Sequence, residues 1–358
     1  MKNSTLLLAP ELFASEGGIP RILQNYLRAI SELAGPARHV SLLALNDRML
    51  DSRDLRRCDP ALRVKDWRMC AGSKYRFVRA ALAMSRTCDR IVCGHVAQLP
   101  VALLARMLNP GLRYFVVAHG IEVWRPFTMA ERLALRGAHR ILCVSDFTRR
   151  EMAKHLSLPA DKYAVVYNAL ENEPSLEPMS PPRSPPVILT IARLSAAERY
   201  KGVDHLIEAM PAIRAARPDV VLKVIGRGDD LGRMHALVRK LELGRAVELM
   251  GYVDDKRLRQ ELQACSLFAL PSEKEGFGLV YLEAMNVGRP CLAARSGGAP
   301  EVISSDAGLL VDYGDVNGIA HRCLEALART WDPVAIRTQA SRFSYSQFRD
   351  RIGSLLNG

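Results

Sequence analysis

Two glutamates, Glu275 and Glu283, stand eight residues apart in the string Pro271-Ser272-Glu273-Lys274-Glu275-Gly276-Phe277-Gly278-Leu279-Val280-Tyr281-Leu282-Glu283-Ala284-Met285. The first carboxylate falls in a glycine-containing turn after an apolar run, where it can accept hydrogen bonds from sugar hydroxyls. The second falls about two helical turns further on, placed to accept from a ribose diol. Gly276 and Gly278 leave backbone amides able to donate to a sugar or a phosphate. Upstream, Arg193 closes another apolar run, and Arg199-Tyr200-Lys201-Gly202 follows it. Arg193 and Lys201 converging on one point would neutralise a diphosphate, one as a planar fork and the other as a point charge. Two solvated surface cations would be the plainer account, but a strand-end position argues against it.

Three further groups carry weaker chemistry. Glu16-Gly17-Gly18-Ile19-Pro20 lies between the first strand and the first helix, where Gly17 and Gly18 let a phosphate approach helix N-terminal amides. A tight strand-to-helix turn accounts for it equally well, and it is not the G-x-G-x-x-G fingerprint. Ala118-His119-Gly120-Ile121-Glu122 sets a histidine at a strand's carboxyl end, where open α/β sheets bind ligands. By itself such a histidine is more often structural. Ser296-Gly297-Gly298-Ala299-Pro300-Glu301 reads as a second donor-side loop bringing backbone close to a ligand, or as a plain turn into a helix.

The elements that must hold these residues alternate along the chain. Apolar runs at Thr5–Ala9, Val40–Leu45, Arg90–Cys93, Tyr114–Ala118, Arg140–Val144 and Ala164–Tyr167 read as strands. Helix-period segments lie between them, Pro20–Ala34 and Pro100–Leu108 among them. The pattern repeats at Val187–Ile191, Val220–Ile225, Val247–Met250, Leu267–Leu270, Pro290–Ala293 and Gly308–Val311. Continuous apolar strands suit parallel sheets covered on both faces, so the fold class is α/β with two successive halves. The expected domains are 1–170, a linker 171–186 with six prolines, and 187–340. Ser341–Leu356 reads as a last helix with Phe343, Phe348, Ile352 and Leu355 on one side. No strand follows it, so it is free to pack back on either domain.

The 358 residues carry a net charge of +12. Residues 1–170 hold 26 Lys and Arg against 14 Asp and Glu, and residues 171–358 hold 24 against 24. The whole excess therefore sits in the first half. A basic surface favours phosphates, anionic lipid or nucleic acid, and the absence of a nucleic-acid motif leaves the first two. Solubility with a bias toward Arg explains the excess almost as well. Within this half, Lys74-Tyr75-Arg76-Phe77-Val78-Arg79 interleaves cations with aromatic and apolar side chains and leads into a helix at Ala80–Met84. Lys74, Arg76 and Arg79 are the candidate contacts to an anionic membrane surface or acceptor. Packing of Tyr75, Phe77 and Val78 into the core is the competing account. Eight scattered cysteines without a C-x-x-C pair read as reduced, buried thiols. No apolar run approaches membrane-spanning length, and the N-terminus makes a poor signal peptide, so a cytoplasmic location is expected.

Taken in order, Gly17-Gly18, His119-Gly120, Arg193 with Lys201, Glu275-Gly-Phe-Gly…Glu283 and Gly297-Gly298-x-Pro-Glu301 resemble the family 4, GT-B-fold retaining glycosyltransferases over nearly the whole chain. The resemblance implies two Rossmann-like domains facing each other across a cleft, an acceptor domain first and a nucleotide-sugar donor domain second. It implies that Glu275 binds the donor hexose and Glu283 the ribose, and that Arg193 and Lys201 stabilise the departing diphosphate. It places His119 near the sugar's primary hydroxyl and Gly18 at a phosphate, with Gly17, Gly276, Phe277, Gly278 and Leu279 also on the donor. The Arg-Tyr-Lys-Gly form resembles bacterial polysaccharide mannosyl- and glucosyltransferases. Ala192 stands where the family often has Gly, and the stretch from Arg193 to Lys201 is about two residues longer than usual, a change loops tolerate. That leaves Arg199 as a rival to Lys201.

The expected activity is transfer of a hexose from a GDP- or UDP-sugar to a glycan or polyprenyl-linked acceptor, with retention, at the inner face of the membrane. No Asp-x-Asp triplet occurs in the sequence. Fixed cations can replace a metal in stabilising the leaving group, so no metal and no cofactor is expected. The two glutamates are not read as a glycosidase acid and nucleophile pair. A front-face reaction, with the leaving phosphate taking the acceptor proton, is the working mechanism. The alternatives are a nucleotide-sugar epimerase of the same fold and a non-catalytic nucleotide-sugar-binding subunit.

Overall fold

Aliphatic runs too apolar for a half-solvated sheet form two all-parallel sheets in the computed structural model, with helices in the connections. The structure describes residues 4–14, 17–34, 39–50, 55, 61–170 and 184–357. Most of the proline-rich linker therefore lies outside the described residues. The chain divides into two compact units, Met1–Glu171 with Tyr345–Gly358, and Asn172–Ser344.

The first unit runs β1 (Ser4–Ala9), α1 (Gly18–Ala34), β2 (His39–Ala44), β3 (Val64–Met69), α2 (Lys74–Ser85), β4 (Arg90–Cys93), α3 (Leu99–Leu108), β5 (Arg113–Ala118), α4 (Met129–Gly137), β6 (Arg140–Cys143), α5 (Asp146–His155) and β7 (Tyr163–Val165). Its seven strands lie in the order β3-β2-β1-β4-β5-β6-β7. The order reverses between β1 and β4, which creates a switch point where loops diverge at the strands' carboxyl ends.

The second unit runs β8 (Val187–Ile191), α6 (Val203–Ala216), β9 (Val221–Ile225), α7 (Leu231–Lys240), β10 (Val247–Gly251), α8 (Asp255–Ala264), β11 (Leu267–Leu270), α9 (Leu279–Asn286), β12 (Cys291–Ala294), α10 (Ala299–Val302), β13 (Gly308–Val311), α11 (Val316–Ala328) and α12 (Pro333–Ser341). Its six strands lie in the order β10-β9-β8-β11-β12-β13, with the switch point between β8 and β11. β11 and β12 are buried at every residue, as continuous apolar strands should be, and so is β4 although it opens with Arg90.

Three elements differ from the sequence-based expectation. The helix expected at Ala80–Met84 begins at Lys74, because Ser73 caps it by accepting from Arg76 N. β3 was not expected, because Val64-Lys-Asp-Trp-Arg-Met69 is mixed in polarity. Among the described residues it is an edge strand paired only with β2, and its four central residues are exposed. The last helix does not begin at Ser341. α12 ends there, and α13 (Tyr345–Asn357) follows a short turn. Its inward face is Tyr345, Phe348, Ile352 and Leu356, a three-four-four spacing, with Leu355 only half-buried. Phe343 is five residues before Phe348 and off that face; its ring packs on Phe277 in the second unit, centroids 5.4 Å apart. α13 itself belongs to the first unit. Phe348 meets Tyr26 edge-on at 5.0 Å, and the Arg28 guanidinium lies 3.9 Å from the Tyr345 ring.

The seven cysteines among the described residues are all free and buried, and Cys58 lies outside them. No helix among the described residues is long and apolar enough to cross a membrane.

Candidate active site

The β8–β11 switch point gathers the second unit's predicted site residues. β8 ends at Ile191, and the chain then lies against the loop after β9: Ala192 N donates to Ile225 O at 3.1 Å and Leu194 N to Arg227 O at 3.0 Å. A Cβ on Gly226 would overlap the Ala192 carbonyl, so this approach requires glycine there. The turn that follows, Ala196–Lys201, is capped by Ser195, whose side chain accepts from Ala197 N. Asp229 accepts from Ala196 N at 2.8 Å, and Asp230 receives Arg199 Nη2 at 2.9 Å and Arg233 Nη2 at 2.7 Å. The Asp230 carboxyl is held below the ordinary carboxylate range, first by Arg233 and then, against burial, by Arg199.

This network separates the two rival cations. Arg199 turns to Asp230, whereas Lys201 Nζ donates to Glu275 Oε2 at 2.8 Å. Burial works against the Lys201 ammonium, but the Glu275 carboxylate outweighs it and raises the lysine's pKa above its ordinary value. The lysine is thus a fixed positive charge. Arg193 is more than half exposed and pairs with Glu198 at 3.2 Å. Arg193, Glu198 and Lys201 line one depression with Asp230.

The Glu275 loop is held from two sides. Glu273 N donates to Tyr200 O at 2.8 Å, which ties it to the turn carrying Lys201. Ser296 Oγ donates to Glu273 O at 2.6 Å, and Gly298 N to Glu275 O at 2.7 Å. A Cβ on Gly297 would strike the Glu275 carbonyl, and one on Gly298 the Gly276 carbonyl. The Gly297-Gly298 pair therefore seats the Glu275 loop, its bare faces packed against protein backbone. Phe277 is 2 % exposed, so its ring anchors the loop in the core. Gly278, at φ 96°, caps α9; Leu279 opens that helix, and Glu283 sits half-buried within it.

In the first unit, His119 follows β5 and is 8 % exposed. Its Nε2 lies 2.7 Å from Gly94 O, at the end of β4, and its backbone N–H donates to Glu122 Oε1 at 2.6 Å. Burial lowers the His119 pKa, against the opposing effects of Glu122 and the Gly94 carbonyl. A neutral ring facing a carbonyl must carry its proton on Nε2, which leaves Nδ1 as an acceptor, and Nδ1 is buried with no partner among the described residues. Burial lowers the His95 pKa in the same way, next to it at the end of β4. At the β1–β4 switch point, Asp47 holds the loop after β1 by accepting from Leu12 N and Phe13 N, each at 2.8 Å. Gly17 and Gly18 follow. Gly18 opens α1 with nothing among the described residues within 4 Å of where a Cβ would stand.

Lys74, Arg76 and Arg79 are exposed on α2. Phe77 is not available to a membrane: it is 4 % exposed and part of the core, while Tyr75 is 70 % exposed. Sequence reasoning missed Asp47, Gly226, Asp229 and Asp230. Ile225-Gly-Arg-Gly-Asp-Asp230, a glycine pair and two acids at a strand end, was the signal for the last three.

The family model described as Glycosyltransferase Family 4 matches residues 17–174, and that described as Glycosyl transferases group 1 matches residues 175–342. A GDP-mannose-dependent monoacylated alpha-(1-6)-phosphatidylinositol monomannoside mannosyltransferase of Corynebacterium glutamicum is 36% identical over 40% of this chain and 38% of its own length. O-antigen chain mannosyltransferase B of Escherichia coli is 31% identical over 59% and 58%. A GDP-mannose-dependent alpha-(1-6)-phosphatidylinositol monomannoside mannosyltransferase of Mycolicibacterium smegmatis is 30% identical over 65% and 66%. The matched stretches thus span less than two thirds of these relatives. Among solved structures, Anabaena HepE in complex with UDP and glucose superposes with a TM-score of 0.77 at 20% identity, and the lipopolysaccharide outer core galactosyltransferase WaaB with 0.76 at 19%, each covering 99% of both chains. With both units matched in sequence and the two parallel sheets matched in fold, the chain belongs to the family 4 glycosyltransferases of the GT-B fold.

Proposed function

We propose that this protein transfers a hexose, of mannose or glucose type, from a nucleoside-diphosphate sugar to a glycan or lipid-linked acceptor with retention, in polysaccharide or glycolipid biosynthesis at the inner face of the membrane. The observation that carries this reading is the Lys201–Glu275 contact of 2.8 Å at the β8–β11 switch point, next to Arg193. Lysine has three N–H donors, so one can stay on Glu275 while the others meet a diphosphate oxygen. The ammonium and the Arg193 guanidinium then offset the charge that grows on the leaving group, in a partly buried setting where charge acts more strongly than in water. The Glu275 carboxylate, aligned by the same contact, accepts from sugar hydroxyls. Glu283, further along α9, is assigned to the ribose.

His119 is assigned the sugar's primary hydroxyl. A neutral ring with a bare Nδ1 is an acceptor and can orient an O–H without adding positive charge. Gly17 and Gly18 are assigned to phosphate: at Gly18 neither backbone angle nor packing among the described residues demands glycine, which supports a close ligand approach. The three relatives named above are mannosyltransferases, which supports transfer over epimerisation or binding without chemistry and favours GDP-mannose as the first donor to try.

The test is incubation with GDP-mannose or UDP-glucose and a bacterial lipid extract, followed by detection of sugar in the lipid or glycan fraction. One nucleotide sugar should also raise the melting temperature. Absence of any donor-dependent shift and of any transfer rejects the reading.

A further inference from the structure

α3 departs from the usual division of a surface helix into an apolar and a polar face. Its ten residues include one charged side chain, Arg106. Leu99, Ala102 and Ala105 point inward and are buried. Pro100, Leu104, Met107 and Leu108 form the outward stripe, with Met107 71% and Leu108 64% exposed. A helix apolar all round ordinarily lies inside a core. The neighbouring α4 extends the patch with Met129, 80% exposed, and Leu133, 60% exposed. Arg106 Nη1 donates to Gly137 O at 3.2 Å and ties the ends of the two helices together. Single exposed apolar residues need no explanation, but a stripe continued across two adjoining helices does.

On the other side of α3 lies α2, and all three helices share one core cluster on the sheet. The exposed residues of α2 include Lys74, Tyr75, Arg76 and Arg79 and no acid. From Lys74 to Ile121 the sequence holds seven Lys and Arg and a single acid, Asp89, which accepts from Ser4 N at 3.0 Å. An apolar strip beside a row of cations, with no exposed acid on either helix, complements a surface that is apolar beneath and anionic on top.

We propose that the outer face of α3 and α4 docks on an anionic lipid bilayer. Leu104, Met107, Leu108, Met129 and Leu133 enter the boundary between headgroups and acyl chains, and the α2 cations lie against lipid phosphates. The docking rests on the lipid-linked acceptor of the proposed function, since it brings the first unit to the surface where such an acceptor resides. A second copy of this face is a poorer occupant, because face-to-face pairing would bring the two sets of α2 cations together.

The experiment is cosedimentation of the full chain with vesicles of phosphatidylglycerol and phosphatidylcholine, and with phosphatidylcholine alone, without donor or acceptor. Binding is expected only to the anionic vesicles and should weaken with salt. The triple variant Met107→Gln, Leu108→Gln, Met129→Gln should partition about tenfold less or weaker still, with an unchanged melting temperature because these side chains are mostly exposed. In a Met107→Trp variant, the emission of the new tryptophan should shift to the blue on anionic vesicles. Equal binding by the triple variant, no binding by the parent chain or no emission shift overturns the proposal. So does concentration-dependent dimerisation that the triple variant abolishes, which would assign the face to a second copy. Because no donor is present, a chain that binds vesicles but transfers nothing refutes only the proposed function. One that transfers sugar but ignores vesicles refutes only the docking.

Discussion

Lys201 Nζ donates to Glu275 Oε2 at 2.8 Å, which joins the turn before α6 to the loop after β11 across the second unit's switch point. Two residues earlier, Arg199 reaches away to Asp230. The loop between Arg193 and Lys201 is thus held on one side by Asp229 and Asp230, the latter also paired with Arg233, and on the other by the lysine's contact with the glutamate.

Lys201→Ala and Glu275→Gln should each lower transfer by about a hundredfold or more, the loss typical of one fixed charge or donor aimed at a developing charge. Both should stay folded, because neither side chain contributes to an apolar core. Arg199→Ala should keep turnover within a few-fold. Asp230→Asn should cost about 2 kcal/mol of stability by weakening charged hydrogen bonds to Arg199 and Arg233. Steady-state kinetics and thermal melts of the four variants decide the matter; an Arg199→Ala enzyme as crippled as Lys201→Ala would reverse the assignment.

Gly298→Ala should behave as a site mutation although it adds one methyl group. The new Cβ would collide with the Gly276 carbonyl and push the Glu275 loop out of register. The donor KM should rise and turnover fall together, while Ala substituted at Gly18, where the space is open, should leave the melting temperature unchanged. Normal kinetics for Gly298→Ala would mean that the loop can shift at little cost and that the seat is not needed.

How far the sequence exposed this architecture depends on what each residue faces. β1, β4, β8, β11 and β12 were legible because burial on both faces writes an unbroken apolar run. β3 was not, because an edge strand with four exposed residues has no such run. Glu275 and Lys201 stood out through local spacing, but their pairing over 74 positions is a product of strand order. Asp47 was invisible for the same reason, and Asp229 and Asp230 showed only as two acids after a glycine pair, with nothing to say which loop they hold. They serve loops from the neighbouring strand, and an isolated Asp after a strand looks like any turn residue. That the Phe277 ring is buried and that Gly297-Gly298 seat the Glu275 loop was not legible, because a sequence shows that a residue is unusual in its loop without showing what it packs against.

Transfer should survive EDTA. The motivation is the pair of fixed cations, Arg193 and Lys201, in a chain without an Asp-x-Asp triplet. Rates measured with and without chelator, and after adding magnesium or manganese, should agree within about twofold, well below the effect of losing a charge that stabilises the leaving group. Loss of activity in EDTA that either ion restores would show that the two cations do not suffice.

The last prediction follows from the histidines of the first unit. The pKa values of His95, His119 and His139 are lowered, in each case chiefly by burial. As pH falls, the unfolded chain takes up these protons before the folded one does. Stability is therefore full above the ordinary imidazole value near ~6.5 and declines below it until the folded-state values are passed. Glu131 works in a different window. Arg125 holds it down to about 2, so its contribution is lost only as pH drops below the ordinary carboxylate range. Melting temperatures should be flat from roughly pH 8 to 7 and should fall between roughly pH 6.5 and 5, ahead of any carboxylate effect. A His119→Gln variant keeps an N–H for the Gly94 carbonyl but cannot titrate, so its melting temperature should fall less steeply over that interval. The acid limb of transfer should also lie below the ordinary imidazole value, because the assigned role of Nδ1 needs the neutral ring. Identical slopes for variant and parent would show that His119 binds its proton as readily folded as unfolded, and the neutral-acceptor assignment would fail with it.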